Sequence, residues 1–511
     1  MSPIARLRNW ASDHPLGFLL ALGLFLRILA AIFARGYMGT DDHFQVIEIA
    51  ADWQRGNFVF LPEDAQFYRS LFYPALNWLL MAFLHKFGVY HPDAVMLVNR
   101  FLHAFLSLWT IALTYKFGLL LADRRAAFTA GLLVAAYFLM PYVAVRNLIE
   151  SFCMPFLLWG LYEATKVETG KSVNPNHSRA WAGLAFGLAF LIRWQTAAAV
   201  LGVILYLIYR KRWRGLAVIS AFGLIPVLAE AIWDWWAHGI FFGSFWVYIQ
   251  HNLAHARDYV VGPWYRYLLL LVGILIPPFS LLFLSAIVRW AKRFGVLIWA
   301  ALAFLIIHSA VPGKQERFIL PIFPLLALMG TAGLSFWQEN KPSLAPWIRW
   351  GWRWFWGVNT ILLVLTIFNY SQKARIASFI YLYERGNARG VVVDFTERGT
   401  LLPLYYLDGA DPSRPRPEVY RAYSPADFDS LRLRHLGLIG PPIVPLNYVV
   451  IFSRGKPEEH LKMINDHLGR AEVLAHIPPS LADRILLRLN PKYNHSKEAW
   501  VCRLEVESNV R

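Results

Sequence analysis

The chain has 511 residues, 57% of them hydrophobic and 16% aromatic against 16% charged, a balance too apolar for an ordinary water-soluble enzyme. Its formal net charge of +17 would suit a nucleic-acid binder. Much of that charge lies in short loops between apolar runs, where it reads as a topology signal rather than a nucleic-acid surface, and membrane lipids or phosphorylated lipid substrates are the natural partners for the rest.

The basic N-terminus MSPIARLRNW precedes an apolar stretch from Leu16 to Phe33. The stretch resembles a signal peptide, but it is long, contains Arg27 and lacks a small-residue cleavage site. It is expected to be an uncleaved first transmembrane helix with its N-terminus inside. That helix delivers GTDDHFQ (Gly39 to Gln45) to the outside. A polar stretch over 36–70 follows, then a short apolar helix at 71–87 expected to lie on or dip into the outer face. Further spans are expected at 94–121, 126–145, 148–165, 181–193, 197–209, 215–236, 263–288, 295–311, 318–337 and 351–372, about eleven in all, several of them reaching the roughly 20 apolar residues a bilayer requires. This register puts Asp123-Arg124-Arg125, RKRWR (Arg210 to Arg214), RWAKR (Arg289 to Arg293) and the basic loop 338–350 inside. It puts Arg146, Arg193, a long loop at 237–262 and GKQERF (Gly313 to Phe318) outside. Letting 71–87 cross would place RKRWR and RWAKR outside.

From about residue 373 the composition changes. GVVVDF (Gly390 to Phe395), NYVVIF (Asn447 to Phe452), RILLRL (Arg484 to Leu489) and WVCRLEV (Trp500 to Val506) read as strands, and PEEHLKMINDHLG as a helix. The expected fold is mainly α: a polytopic transmembrane helical bundle over 1–372 with a small soluble, extracytoplasmic α/β domain over 373–511. Cys153 sits in an apolar span and Cys502 near the C-terminus, so no disulfide between them is expected. No CxxC or other metal spacing occurs. Asn494-His495-Ser496 is a bare sequon.

Asp41-Asp42 is the sharpest polar cluster. Adjacent carboxylates just past a span raise one pKa or recruit a cation, and one of them could deprotonate an incoming hydroxyl; the plainer alternative is a helix N-cap. In GKQERF, Lys314 and Arg317 are three residues apart, expected to share one helix face and clamp a phosphate, or else to snorkel at the interface. Arg146 and Arg193 are single cations with the same two readings. Glu230 and Asp234, one turn apart within a span, are expected to face the protein interior, with Arg27 as a partner. His251 and His255, at i,i+4 spacing, make half a metal site, but without a third ligand a solvated helix face is the better expectation.

Together these clusters resemble the GT-C superfamily of polytopic glycosyltransferases, specifically the GT22 mannosyltransferases. That family's first outer loop carries His-Pro-Asp-Glu followed by an aromatic residue and Gln. Here Asp41, Phe44 and Gln45 fit, the leading His-Pro is absent and Asp42 replaces Glu. The family's late motif resembles His-Lys-Glu-x-Arg-Phe with two spaced prolines. Lys314, Arg317, Phe318, Pro321 and Pro324 match it, and the His and first Glu do not. Asp234, FFGSF, Asn252 and GPWYRYL (Gly262 to Leu268) are similar to the family's middle string, and Arg146 and RWQTA match more loosely. The likeness covers about residues 20–335 and leaves out the soluble tail.

The resemblance implies inverting transfer of a sugar, mannose first, from a polyprenyl- or dolichyl-phosphate donor to a lipid-linked or glycan acceptor. Asp41 would be the base and Asp42 would position the acceptor or tune Asp41. Lys314, Arg317 and Arg146 would meet the donor phosphate. Gln45, Arg193, Asp234, Asn252, Trp264 and Glu316 are the implied substrate-binding positions. No cofactor is expected, although two carboxylates leave a divalent metal open. The rival readings are a GT-C transferase of another sugar such as aminoarabinose, a lipid or polysaccharide transporter, and a non-enzymatic envelope assembly protein. A transporter would show inverted repeats and midplane charges, whereas here the polar groups gather at one face. Lack of an organellar signal favours a bacterial inner membrane with a periplasmic active site, with the endoplasmic reticulum membrane as alternative.

Overall fold

The computed structural model describes residues 3–58, 69–258, 260–397, 399–455, 457–489 and 497–506; the sequon at Asn494 lies outside them. The chain forms two compact units. One comprises residues 1–32, 59–75 and 100–368, and the other residues 33–58, 76–99 and 369–511.

The first unit is helical. Among the described residues four helices are long and apolar enough to cross a membrane: Pro15–Phe33, Pro92–Leu121, Trp213–Ala237 and Glu316–Asn340. The pair Arg266–Ile274 and Phe279–Arg289, bent by 119°, makes a fifth if it counts as one span. The expectation of about eleven spans is corrected to four or five, and the reason is local. The run read as 126–145 breaks at Tyr137, whose backbone is extended, into Arg124–Ala136 and Leu139–Ala144. The run read as 148–165 breaks at Cys153 into Ile149–Phe152 and Met154–Glu168. Ala197–Tyr209 and Val296–Ala310 have 13 and 15 residues, short of the roughly 20 that a crossing takes. The helix Phe72–Lys86, with 15 residues, is short as well. The expected loop at 237–262 contains a helix, Gly243–Ala254.

Small residues set a close helix contact. A Cβ on Gly183 would stand 2.4 Å from the Ile219 carbonyl oxygen, and one on Gly187 would stand 2.4 Å from that of Gly223. The helices Pro175–Ile192 and Trp213–His238 therefore meet backbone to backbone along a small-xxx-small stripe. Arg27, buried in the first span, donates to the carbonyls of Ala135 and Val134 at 3.0 Å each and to Ser107 Oγ at 2.6 Å. These partners correct its expected pairing with Glu230 or Asp234: carbonyls freed where the helix ends at Ala136 need a donor.

The second unit holds a five-stranded sheet in the order β2-β1-β3-β5-β4. The strands are β1 Gly390–Asp394, β2 Glu418–Ala422, β3 Leu446–Ser453, β4 Arg470–Ile477 and β5 Glu498–Glu505. β1 runs parallel to β2 and β3, and β5 runs antiparallel to β3 and β4. Side chains alternate faces along a strand. Val391, Val393, Tyr448 and Val450 pack with Phe379 and Leu382 of the helix Lys373–Arg385. Val392, Val449 and Ile451 pack with Phe428, Leu431 and Ile464 on the other face. Burial on both faces explains why β1 and β3 read as unbroken apolar runs. RILLRL is corrected from strand to helix, Leu481–Leu489: its arginines are four residues apart, a helical spacing. Cys153 and Cys502 are both free and buried.

At the carboxyl end of β1, Asp394 Oδ2 lies 2.5 Å from His460 Nδ1, and Glu397 Oε1 lies 3.2 Å from His460 Nε2. Thr396 bonds Asp394, and Lys497 pairs with Glu397 at 3.1 Å. The hydrogen bond to Asp394 raises the His460 pKa above the ordinary 6.5, burial opposes the rise, and the charges of Asp394 and Glu397 add to it. A raised histidine pKa stabilises the fold in full below the unfolded value and loses that contribution as pH climbs through the folded one. Hydrogen exchange in the helix Pro457–His467 of the full chain, corrected for intrinsic rates, is expected to lose protection as pH rises from below about 6.5. In His460→Gln that pH dependence is expected to flatten.

Candidate active site

A buried charge cluster organises the first unit. Leu148 is extended and a single turn, Ile149–Phe152, places Glu150 fully out of solvent. Arg193 ends the helix Pro175–Ile192 in an extended conformation, which turns its guanidinium onto Glu150, Nη1 to Oε1 2.6 Å. Arg317 belongs to the 3-10 turn Glu316–Ile322. Its Nε lies 3.7 Å from the same oxygen and donates to Gln315 Oε1 at 2.8 Å. Arg69 adds a third positive charge within electrostatic reach of Glu150. Three guanidiniums thus act on one buried carboxylate, in a low-dielectric setting that strengthens each of these interactions. The Phe318 ring lies between the two arginines, 5.4 Å from Arg193 and 5.7 Å from Arg317.

Lys314 and Arg317 do not share a helix face, contrary to expectation, because the helix ends at Ala310 and Gly313 pairs in an isolated bridge with Val261. The Lys314 ammonium caps that helix end. It donates to the carbonyls of His308 at 3.0 Å and Ser309 at 2.8 Å, and to that of Val311, the orphan acceptors of a helix C-terminus. Burial, then the charge of Arg266, pulls its pKa below the ordinary 10.5.

The other expected positions of this unit are scattered among several jobs. Arg146 is buried with its guanidinium 3.9 Å from the Tyr142 ring. Asp234 accepts the backbone N–H of Ser244 at 2.9 Å and its hydroxyl at 2.8 Å, fastening the start of the helix Gly243–Ala254. Glu230 accepts from Ser70 Oγ at 2.8 Å. Glu316 pairs with Arg266 at 2.9 Å on the surface, and Trp264 is 67% exposed. His251 is buried with its ring stacked on His255 at 4.2 Å, which corrects the expected solvated face. Among the described residues no group of three or more His, Cys, Asp or Glu could hold a metal ion.

A large apolar cavity of about 1030 Å³ adjoins the cationic segments. Phe190, Leu201 and Leu224 form part of its wall, and Gln195, Asn252 and Gly313 lie along it with Phe318. Gln195 donates to the Tyr248 hydroxyl, and Asn252 donates to the Tyr248 carbonyl at 2.7 Å. Two of the bordering segments, Trp194-Gln195 and Gly313 to Phe318, hold or directly follow Arg193 and Arg317.

Asp41, Asp42 and Gln45 belong to the second unit. A short turn, Thr40–Asp42, leads into a π-helical turn, His43–Ile47, and then the helix Glu48–Gln54; wide turns of this kind are frequent at functional sites. Asp42 is buried and Asp41 half-buried. The turn is bolted by its neighbours. His43 stacks between Tyr37 at 4.9 Å and Tyr406 at 5.4 Å, and it pairs with Glu48 at 3.1 Å. Glu48 in turn accepts the Tyr405 N–H at 2.9 Å. Arg55 bridges Asp52 at 2.7 Å and Asp408 at 2.5 Å.

Sequence reasoning passed over Glu150, Arg69 and Glu48. Glu150 carried a signal, a carboxylate inside an apolar run four residues after Arg146, where charge is costly and kept for a purpose.

Residues 18–387 match the Alg9-like mannosyltransferase family. GPI mannosyltransferase 3 of Drosophila melanogaster is 24% identical over 345 residues, 65% of this chain and 58% of the relative. Undecaprenyl phosphate-alpha-4-amino-4-deoxy-L-arabinose arabinosyl transferase 1 of Pseudomonas fluorescens is 32% identical over 187 residues, 32% of this chain and 33% of the relative. The matches thus span from a third to under two thirds of these curated relatives' lengths. The fold is similar to that of ArnT from Cupriavidus metallidurans bound to undecaprenyl phosphate, with a TM-score of 0.59 at 13% identity, covering 96% of this chain and 98% of that one.

Removing the carboxylate takes the ion partner from the buried guanidinium of Arg193. Glu150→Gln is expected to cost about 3–5 kcal/mol of stability, read as a lowered unfolding midpoint of the purified protein in detergent.

Proposed function

The chain belongs to the Alg9-like mannosyltransferase family, and from that premise we propose that it transfers a sugar, mannose first, from a polyprenyl- or dolichyl-phosphate donor to a lipid-linked or glycan acceptor. The observation that carries this reading is the apolar cavity of about 1030 Å³ bordered by the segments of Arg193 and Arg317. It is at the upper limit of ordinary small-molecule pockets. A long apolar chain ending in a phosphate has the chemistry for both parts: the prenyl tail enters the cavity and the phosphate lies toward the guanidinium-bearing segments.

In this mechanism Asp41 accepts the proton of the acceptor hydroxyl as its oxygen attacks the anomeric carbon. The bond from that carbon to the phosphate oxygen breaks with inversion, and the electron pair leaves on the lipid phosphate. Arg317 and Arg193 stabilise the developing charge, and no general acid is needed. Asp42 positions the acceptor. Lys314 holds the turn that presents Arg317, a role drawn from its carbonyl bonds in place of direct phosphate contact. Gln195 and Asn252 line the tail's path. The reading places the active face in the periplasm of a bacterial inner membrane.

The 32% identity over 187 residues to an aminoarabinosyl transferase supports a second reading, in which the sugar is an amino-pentose and the donor chemistry is unchanged.

Asp41→Asn is expected to lower transfer from a polyprenyl-phosphate mannose donor by at least ~100-fold, with expression and membrane insertion intact; near-normal turnover would remove Asp41 from its role. The donor sugar is read in the same assay by offering mannose and aminoarabinose donors side by side. Leu201→Trp, which narrows the cavity, is expected to raise KM for a long-chain donor more than for a short-chain one, with kcat little changed. Equal effects on both donors would place the tail elsewhere.

A further inference from the structure

A second cavity, of about 270 Å³, lies among the helices Arg124–Ala136, Phe323–Asn340 and Ala345–Ile367. Arg349, Trp352, Arg353 and Trp356 line it from one helix, and their three- and four-residue spacing puts them on a single face. Arg125 faces the same space from a second helix, and Ser335 and Gln338 from the third. Three exposed arginines border this one small volume from two helices. The nearby carboxylate, Asp123, caps its helix through the Ala126 N–H at 2.7 Å, accepts from Ser335 and acts electrostatically on Arg125, which leaves Arg349 and Arg353 as the cations that face the space from the helix Ala345–Ile367. Among the described residues neither Arg349 nor Arg353 makes an ion pair or a side-chain hydrogen bond.

Position separates this cavity from the donor site. Gln338 and Arg317 stand near opposite ends of the span Glu316–Asn340, roughly 30 Å apart at 1.5 Å of rise per residue. That is one hydrocarbon thickness. Trp347, Trp350 and Trp354 project from the same helix as exposed side chains, the aromatic signature of headgroup depth. Leu132, Leu334 and Phe128 give the cavity an apolar wall beside its cationic one. Cationic and apolar walls side by side match a phosphodiester attached to acyl chains better than a soluble anion.

We propose that this cavity binds the headgroup phosphate of an anionic phospholipid in the leaflet opposite the donor site. By the distribution of Lys and Arg that leaflet is the cytoplasmic one, where basic pockets between helices take anionic lipids.

The test uses delipidated full-length protein in a neutral detergent, titrated with phosphatidylglycerol, phosphatidylcholine or inorganic phosphate and read by native mass spectrometry. Phosphatidylglycerol is expected to bind at least roughly tenfold more tightly than phosphatidylcholine, and Arg349→Gln with Arg353→Gln to remove that preference. Inorganic phosphate in excess is expected to leave phosphatidylglycerol bound. Displacement by phosphate at equal affinity would mean a site for a soluble phosphate and would overturn the lipid assignment, as would an undiminished preference in the double variant. Should that variant not fold, a photoreactive phosphatidylglycerol on wild-type protein decides. Adducts on the peptide holding Trp352 and Trp356 support the site, and their absence sinks it.

Discussion

Charge held away from water must find opposite charge close by, and in this chain that requirement fixes where three separate segments meet. Glu150 is fully buried. It is tolerable there only because Arg193 stands at 2.6 Å and Arg317 at 3.7 Å. Each partner sits where regular helix stops: Glu150 in a single turn, Arg193 at an extended helix end, Arg317 in a 3-10 turn. Helix ends carry unsatisfied backbone groups, so a bundle that gathers them at one place acquires polarity in an otherwise apolar body. Lys314 belongs to the same solution, since its ammonium satisfies the carbonyls that the helix ending at Ala310 leaves open.

The second unit solves a different problem, that of holding a carboxylate-bearing turn still. Asp41 and Asp42 lie on a short turn that leads into the wide turn His43–Ile47. The stack of Tyr37, His43 and Tyr406, with Glu48 bonded to both His43 and the Tyr405 backbone, ties that turn to the chain beyond residue 400. A general base needs its position fixed to fractions of an ångström more than it needs an unusual environment. The turn Tyr405–Asp408 thereby has work to do at the acidic turn.

How much the sequence disclosed depended on whether a residue's partner was local. β1, β3 and β5 were legible because strands buried on both faces spell continuous apolar runs. β2 and β4 were hidden, since EVYRA and RAEVLAHI carry charges on solvent-facing positions. The acidic turn and the GKQERF segment stood out as polar islands. Their geometry did not, because the arrangement of Lys314 is set by carbonyls in a helix that ends before it. Glu150 looked like an ordinary residue of a span until Arg193 and Arg317, distant in sequence, were seen beside it. The stripe Gly183, Gly187 was written in the sequence as G-x-x-x-G, but its partner, Gly223 on another helix, was not.

The shortfall in spans and the presence of a large cavity have one cause. Full-length helices packed along their whole sides fill the space between them to near-crystalline density. Here Ala197–Tyr209 and Val296–Ala310 stop after 13 and 15 residues, and the close glycine contact draws Pro175–Ile192 against Trp213–His238. Helices that stop early, beside a pair drawn tightly together, leave a space that side chains do not fill. The cavity of about 1030 Å³ is lined from these same segments and borders the turn after Ala310. An apolar space of that size would ordinarily be costly in a protein core. Beside lipid it costs less, because a lipid tail can occupy it. The irregularity that defeats a span count from hydropathy is thus the feature that opens an apolar space inside the membrane unit.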